Sequence, residues 1–138
     1  MKLIHKSKKE YVVRLERGEK YPDVFLKFLK KQNITGGFFY GLGAVESPRI
    51  AYFNLRRKKY VEKKLRGVYE VLNIVGNVAL SKKEVLVHQH VVLSDWKYKT
   101  FGGHLVNGVI GGTLELCISK ITGLRRKRDK KTNLTLLV

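Results

Sequence analysis

The stretch Val87-His-Gln-His-Val-Val-Leu93, followed after a short polar passage by Gly102-Gly-His-Leu105, decides how this chain is read. Three of its four histidines fall here, and His88 and His90 stand one residue apart in a run of Val and Leu that reads as a strand. Side chains at i and i+2 of a strand share a face, about 7 Å apart along the backbone. His88 and His90 therefore project together while Val87, Gln89 and Val91 point the other way, and one ion can reach both imidazoles. Neutral imidazole suits zinc and its neighbours, and three such ligands with an open fourth position is the arrangement of catalytic rather than purely structural zinc. The glycines before His104 let the backbone take φ > 0 or pass close to another strand, so a turn there can return His104 to the His88/His90 face. Without a metal, the same residues would be hydrogen-bonded polar groups on a partly exposed face, with His104 capping a turn.

Outward from this stretch the chain is rich in strand signals. Tyr11 to Leu15, Phe38 to Val45, Ile50 to Leu55, Tyr60 to Leu65, Gly67 to Leu80, Val85 to Leu93 and Thr113 to Ile121 all read as strands. Glu46 to Arg49, Arg56 to Lys59 and Ser81 to Glu84 are polar and short enough for hairpins, which implies antiparallel pairing, since parallel neighbours need longer crossovers. One helix is expected. Pro22 fits its first turn with Asp23 beside it, Val24, Phe25, Phe28 and Leu29 recur at helical spacing, and Lys27, Lys30 and Lys31 occupy the other face up to a stop near Asn33. Residues 2–9 read as a basic leader. Arg125 to Lys131 reads as a turn or loop held against the fold by a last strand within Leu134 to Val138. The reading is a single α+β domain over residues 1–138, a mainly antiparallel sheet packed by one principal helix.

A chain of 138 residues supports one hydrophobic core, and 43% aliphatic and aromatic residues is too many for a disordered segment. The formal net charge of +18 bears on partners rather than fold. Polyanions are the natural partners, nucleic acid first, the plainer alternative being a solvated surface. Basic residues gather at Arg56, Arg57, Lys58 and Lys59 and at Arg125, Arg126, Lys127 and Arg128, the candidate nucleic-acid contacts. Cys117 is the one cysteine, so no intrachain disulfide forms, and packing in a reducing compartment is its expected role. Met1 to Glu10 carries charges where a signal peptide needs an apolar segment, and no apolar run is long enough to span a bilayer, so the expected location is cytoplasmic, without a membrane partner.

There is no phosphate-binding glycine loop with Lys-Ser/Thr and no nucleophile elbow, and Gly41-Leu-Gly43 is too short for a dinucleotide fingerprint, which weakens nucleotide hydrolysis and cofactor-driven redox chemistry. Two carboxylates stand out. Glu70 alternates with Val68, Leu72 and Ile74, where a charge needs a partner or water, and Glu115 shares a face with Thr113 and Cys117, from which it could accept a ligand imidazole N–H. The plainer alternative for each is an ion pair with a Lys or Arg.

Four pieces together resemble the plant- and prokaryote-conserved domain (PPC or PCC), which plant nuclear proteins carry behind AT-hook motifs. Gly67-Val-Tyr-Glu-Val-Leu72 is similar to the family's Gly-Arg-Phe-Glu-Ile-Leu segment, with Gly76 following at a fitting distance. His88-Gln-His90 is similar to its His-Leu-His strand, and Gly102-Gly-His-Leu105 with Gly108, then Thr113-Leu-Glu115, to its closing pattern. Order and spacing agree over roughly residues 11–122. The resemblance implies a homotrimer, an antiparallel sheet packed by a helix, a metal ion on the matching histidines as in prokaryotic relatives, and a protein-partner element at Gly67 to Leu72 as in plant relatives. This chain departs from the pattern in three places. Gln89 replaces an apolar residue, implying a less deeply buried strand back, the loop Asp95 to Phe101 lacks a glycine common there, and no Arg-Gly-Arg-Pro core occurs, so AT-hook reading of the minor groove does not carry over.

The leading expectation is a trimeric DNA-associated protein, a regulator or nucleoid-associated factor more than an enzyme. It would bind phosphates through Lys and Arg and hold zinc or a similar divalent metal at His88, His90 and His104. Shape or backbone reading is expected, because the single helix is committed to the core. The alternative is a metal-dependent enzyme or small-anion sensor using the same histidines, with Glu70 or Glu115 assisting proton transfer and a basic-rimmed pocket between subunits.

Overall fold

The computed structural model describes all 138 residues. Its elements in chain order are β1 (Lys2–Lys6), β2 (Glu10–Leu15), β3 (Lys20–Tyr21), α1 (Asp23–Lys31), β4 (Gly37–Asn54), β5 (Lys59–Lys64), β6 (Val68–Ser81), β7 (Glu84–Ser94), β8 (Thr100–Lys120), β9 (Arg126–Arg128) and β10 (Thr135–Leu137). An eight-stranded antiparallel sheet runs β1-β2-β8-β7-β6-β4-β5, with β3 beside β8. Strand β4 pairs with both β6 and β8, so β4, β6, β7 and β8 close into a circuit around the core. Strands β9 and β10 form a separate two-stranded ribbon.

Alternation decides which side chains fill that circuit. Phe39, Ile74, Val78, Val91, Leu93 and Leu105 point inward and are nearly inaccessible to water, each such burial contributing about 1.5–3 kcal/mol. The helix closes one side. Phe25, Phe28 and Leu29 are buried, with the Phe25 ring edge-on to Phe39 at 5.0 Å and Phe28 edge-on to Tyr11 at 6.1 Å. Lys27, Lys30 and Lys31 stay outward, and α1 ends before Asn33, whose positive φ of 51° turns the chain into β4. Pro22 sits at the N-cap, one residue before the first helical turn.

Four expectations are corrected. Glu46 to Arg49 is no hairpin: β4 runs straight through it, with a register shift between Glu46 and Arg49. Pro48 offers no N–H, so a short bulge forms in which Ser47 N–H donates to Gly67 O and Leu65 N–H donates to Pro48 O, and β4 exchanges β6 for β5 as its partner. The basic leader is itself strand β1, paired with β2. The last long strand begins at Thr100 rather than Thr113. Finally, three of the seven residues of the basic run form β9, and it is an antiparallel ribbon with β10 that holds it against the fold. The hairpins at Arg56 to Lys59 and at Ser81 to Glu84 are as expected, turning on the positive φ of Lys58 and Lys82.

Candidate metal centre

His88 and His90 lie on β7, with Gln89, Val91 and Leu93 buried on the reverse. Strand β8 runs alongside, and its His104 is directly opposite His90. The correction here concerns delivery: His104 comes from within a strand, not from a turn. Gly102 is what lets the strands meet. A Cβ at that position would stand 2.4 Å from Val91 O, so any larger residue would push β8 off β7. The turn lies earlier, at Asp95 to Lys99, where the Asp95 carboxylate accepts from the N–H groups of Lys97 and Lys99 and supplies the local order that a glycine would otherwise give.

The three imidazoles form one cluster. Ring centroids are 5.2 Å apart for His88 and His90, 5.1 Å for His88 and His104, and 5.7 Å for His90 and His104. One nitrogen from each can be chosen so that all three lie within 4.8 Å of one another. A tetrahedral zinc ion with bonds of about 2.1 Å holds its nitrogens about 3.4 Å apart, a difference that modest ring rotation closes. His104 Nδ1 is buried without a hydrogen-bond partner. Burial, reinforced by Arg126 and the neighbouring imidazoles, pushes His88 down to about 4. Burial, then the charges of His90 and Arg126, also lowers His104, while Glu62 acts the other way. Both are therefore neutral and ligand-ready at pH 7. An all-nitrogen donor set with an orphaned buried nitrogen fits zinc or a neighbouring transition metal better than calcium or magnesium, which take oxygen ligands.

The carboxylates singled out in the sequence are elsewhere. Glu70 is exposed opposite Ala44 and Ser94, and Glu115 is exposed opposite Arg14 and Leu42, eleven residues along β8 from His104. Neither belongs to the histidine cluster, and neither is in an ion pair. A bulge between Val71 and Asn73 reverses the facing of β6, so Val68, Glu70 and Leu72 face outward while Ile74 faces in. Gln89 is also corrected: it is 3% exposed, its Nε2 donating to Leu105 O at 2.7 Å and its Oε1 left without a partner. Cys117 is half-buried, on the outward face opposite Tyr40.

Two further groups approach the histidines. The Tyr60 ring, carried over by the β4–β5 hairpin, lies 5.2 Å from the His104 ring. Arg126 arrives from the ribbon, donating through Nη2 to Asn77 Oδ1 at 2.6 Å and through Nη1 to Thr135 O. Asn77 is opposite His88 on β6. Tyr60 and Asn77 carry no sequence signal for this site, since their nearness depends on the hairpin and sheet register. Of the other basic candidates, Arg56, Arg57 and Lys58 occupy the β4–β5 turn and Lys59 opens β5, all exposed; Arg125 forms a bridge to Leu80, and Lys127 and Arg128 continue β9. No helix is long and apolar enough to cross a membrane.

The whole arrangement has solved counterparts. A plant- and prokaryote-conserved (PPC) protein from Pyrococcus horikoshii superposes with a TM-score of 0.88 at 32% identity, over 94% of this chain and 91% of its own. A metal-containing protein from Archaeoglobus fulgidus reaches 0.87 at 28% identity, over 100% and 99%. A protein from Bacteroides thetaiotaomicron, provisionally described as DNA-binding, reaches 0.92 at 23% identity, over 97% and 94%, a likeness of fold alone. A comparison with proteins of curated function finds no match. The family model of the Plants and Prokaryotes Conserved domain matches residues 4–122, which run from within β1 to just past the end of β8 and include all three clustered histidines, and the chain belongs to that family.

Proposed function

We propose that this chain is a homotrimeric, cytoplasmic metal-binding protein whose centre is a divalent cation of the zinc class on His88, His90 and His104. One observation carries the reading: three imidazoles from two adjacent strands offer nitrogens within 4.8 Å of one another. The likeness to the metal-containing Archaeoglobus fulgidus protein over the full chain supports it. Three protein ligands leave a coordination position for water or an anion, and the cation would supply Lewis acidity there. The chain's own contribution is to keep His88 and His104 neutral by burial, to cover His104 with Tyr60, and to set the Arg126 charge beside the cluster. Glu70 and Glu115 are remote, and Glu62, whose charge reaches His104, is held in an ion pair by Arg49, which favours binding over turnover.

The trimer reading rests on an apolar face. Phe38, Tyr40 and Leu42 on β4, Leu72 and Val75 on β6, and Val92 on β7 all point outward, with Tyr40 62% exposed. Contiguous apolar surface of this kind marks a contact site, and another copy of the chain is the occupant that the family resemblance implies. Leu72 lies in this face and ends the Gly67 to Leu72 segment, so protein contact through that segment and trimer formation would use neighbouring surface.

Metal content tests the centre. Untagged protein, wild type and His104→Ala side by side, is saturated with zinc, dialysed against a weak chelator and submitted to elemental analysis. Near-stoichiometric zinc in wild type and its loss in the variant are expected; wild type without retained metal would overturn the reading.

DNA association is the second reading, favoured by the charge of +18 and the exposed Arg56 and Arg57 at a hairpin tip. Contact would be to phosphates, with affinity falling steeply as salt rises. Affinities for one chosen and one random duplex should differ little at physiological salt, and Arg56→Glu with Arg57→Glu should weaken both equally. A thousandfold preference for one sequence, typical of specific binders, would refute backbone reading.

A further inference from the structure

The β9–β10 ribbon lies beyond the residues matched by the family model and forms one wall of a cleft of about 320 Å³. The opposite wall is the β4–β5 hairpin, and His88 lies among the lining residues. We infer that this cleft binds a small phosphate monoester, held by cations from both walls beside the metal centre. The inference deepens the metal-binding reading and rests on it for the role of His88.

Charge comes first. Lys58 and Lys59 from the hairpin and Arg126 and Arg128 from the ribbon line the space, with no Asp or Glu among the lining residues. Four cations brought together from segments 67 to 70 residues apart in sequence repel one another, and an anion between them removes that cost. A second feature is preorganisation. A guanidinium has five N–H donors; Arg126 spends one on Asn77 Oδ1 and one on Thr135 O, which fix its plane, while its Nε is buried with no partner. The uncommitted Nη hydrogens of this fixed guanidinium suit the oxygens of a phosphate group.

The walls argue for an organic ester rather than bare phosphate. Phe53 and Tyr60, edge-on at 4.9 Å, face Leu134 and Leu136 across the cleft. Its volume is at the lower end for small-molecule sites, and it is bounded by hairpin and ribbon, which suits a free monoester better than the phosphodiester backbone of a duplex. The phosphate would meet Arg126 on the side of the cleft that His88 lines, and the organic group would lie along the aromatic wall.

The experiment is calorimetric titration of the 138-residue chain with phenyl phosphate, inorganic phosphate and a short DNA duplex, the zinc content of each sample being measured. Phenyl phosphate is expected to bind the zinc-loaded wild type more tightly than inorganic phosphate does. Arg126→Gln should weaken phenyl phosphate by ten- to a hundredfold. Because Arg126 also anchors the ribbon, Lys58→Gln with Lys59→Gln is the second variant, expected to weaken it about tenfold, whereas Lys8→Gln with Lys9→Gln, remote from the cleft, leaves it unchanged. Binding retained in zinc-free wild type and lost in Arg126→Gln supports the cleft while separating it from the metal centre. The inference is overturned if zinc-loaded wild type fails to bind phenyl phosphate at millimolar concentration, if the Lys8/Lys9 variant loses as much as the Lys58/Lys59 variant, or if Arg126→Gln weakens the duplex as much as phenyl phosphate.

Discussion

Gly76→Ala tests whether the proposed metal centre depends on the close approach of β6 to β7. A Cβ at Gly76 would lie 2.5 Å from His88 O, 2.6 Å from Phe39 Cζ and 2.8 Å from Gln89 Cβ. Ordinary carbon contacts are about 3.5–4.0 Å, so the strands must part by up to about 1 Å. Neither neighbour yields easily: Phe39 and Gln89 are 2% and 3% exposed, and the nearest oxygen is backbone. Overpacking of this kind costs about 1–3 kcal/mol, and contacts on three sides put Gly76→Ala near the upper end. The displaced atom is the carbonyl of His88 itself, so the imidazole moves with it; disturbing the support of a metal ligand typically lowers affinity about 10- to 100-fold. Gly112→Ala is the control, its Cβ meeting only Ala44 Cβ at 3.7 Å. Urea unfolding and zinc competition against a chromophoric chelator read the two effects. The reasoning is refuted if Gly76→Ala matches Gly112→Ala in both midpoint and zinc affinity.

In metal-free protein, acid should destabilise the fold through His88. The unfolded chain takes up its proton near 6.5, the folded chain only near 4, so the stabilisation is complete above 6.5 and is lost as pH falls through 4. A shift of this size corresponds to at most about 3 kcal/mol, and about half of that is expected at a half-exposed ring; His88→Gln should flatten the urea midpoint between pH 6.5 and 4, and an unchanged slope would count against it. Gln89→Leu should leave stability nearly unchanged, because it removes a buried oxygen with no partner but takes the side-chain donor from the buried Leu105 carbonyl, each unpaired group costing about 1–3 kcal/mol. A lower urea midpoint at unchanged slope would contradict that. Tyr40→Glu with Val75→Glu should turn the proposed trimer into folded monomers in sedimentation velocity, since unpaired carboxylates in an apolar contact are costly; a variant that sediments as wild type does would place any interface elsewhere.

The sequence by itself determined whatever depends on local period. The pair His88 and His90 on one face, with Val91 and Leu93 behind, follows from a strand period of two, and the helix over Asp23–Lys31 follows from the spacing of Phe25, Phe28 and Leu29 and the turn at Asn33. It also misled where local chemistry has two structural outcomes. Glu46-Ser-Pro-Arg49 has turn composition, yet serves as a bulge because β4 has a second partner to reach. Glu115 follows the strand alternation but is carried away from His104 by the unbroken length of β8.

Only the tertiary structure decided what meets at the centre. His104 reaches His90 because Gly102 allows β8 to lie against β7 in one register, and a slip of one residue would turn the imidazole to the other face. Arg126 and Tyr60 meet the same cluster because the ribbon folds back onto β6 and β4 pairs with both β5 and β8, which brings Tyr60 to His104. Such neighbours are set by pairing between residues far apart in the chain, and no local spacing encodes a distance of that kind.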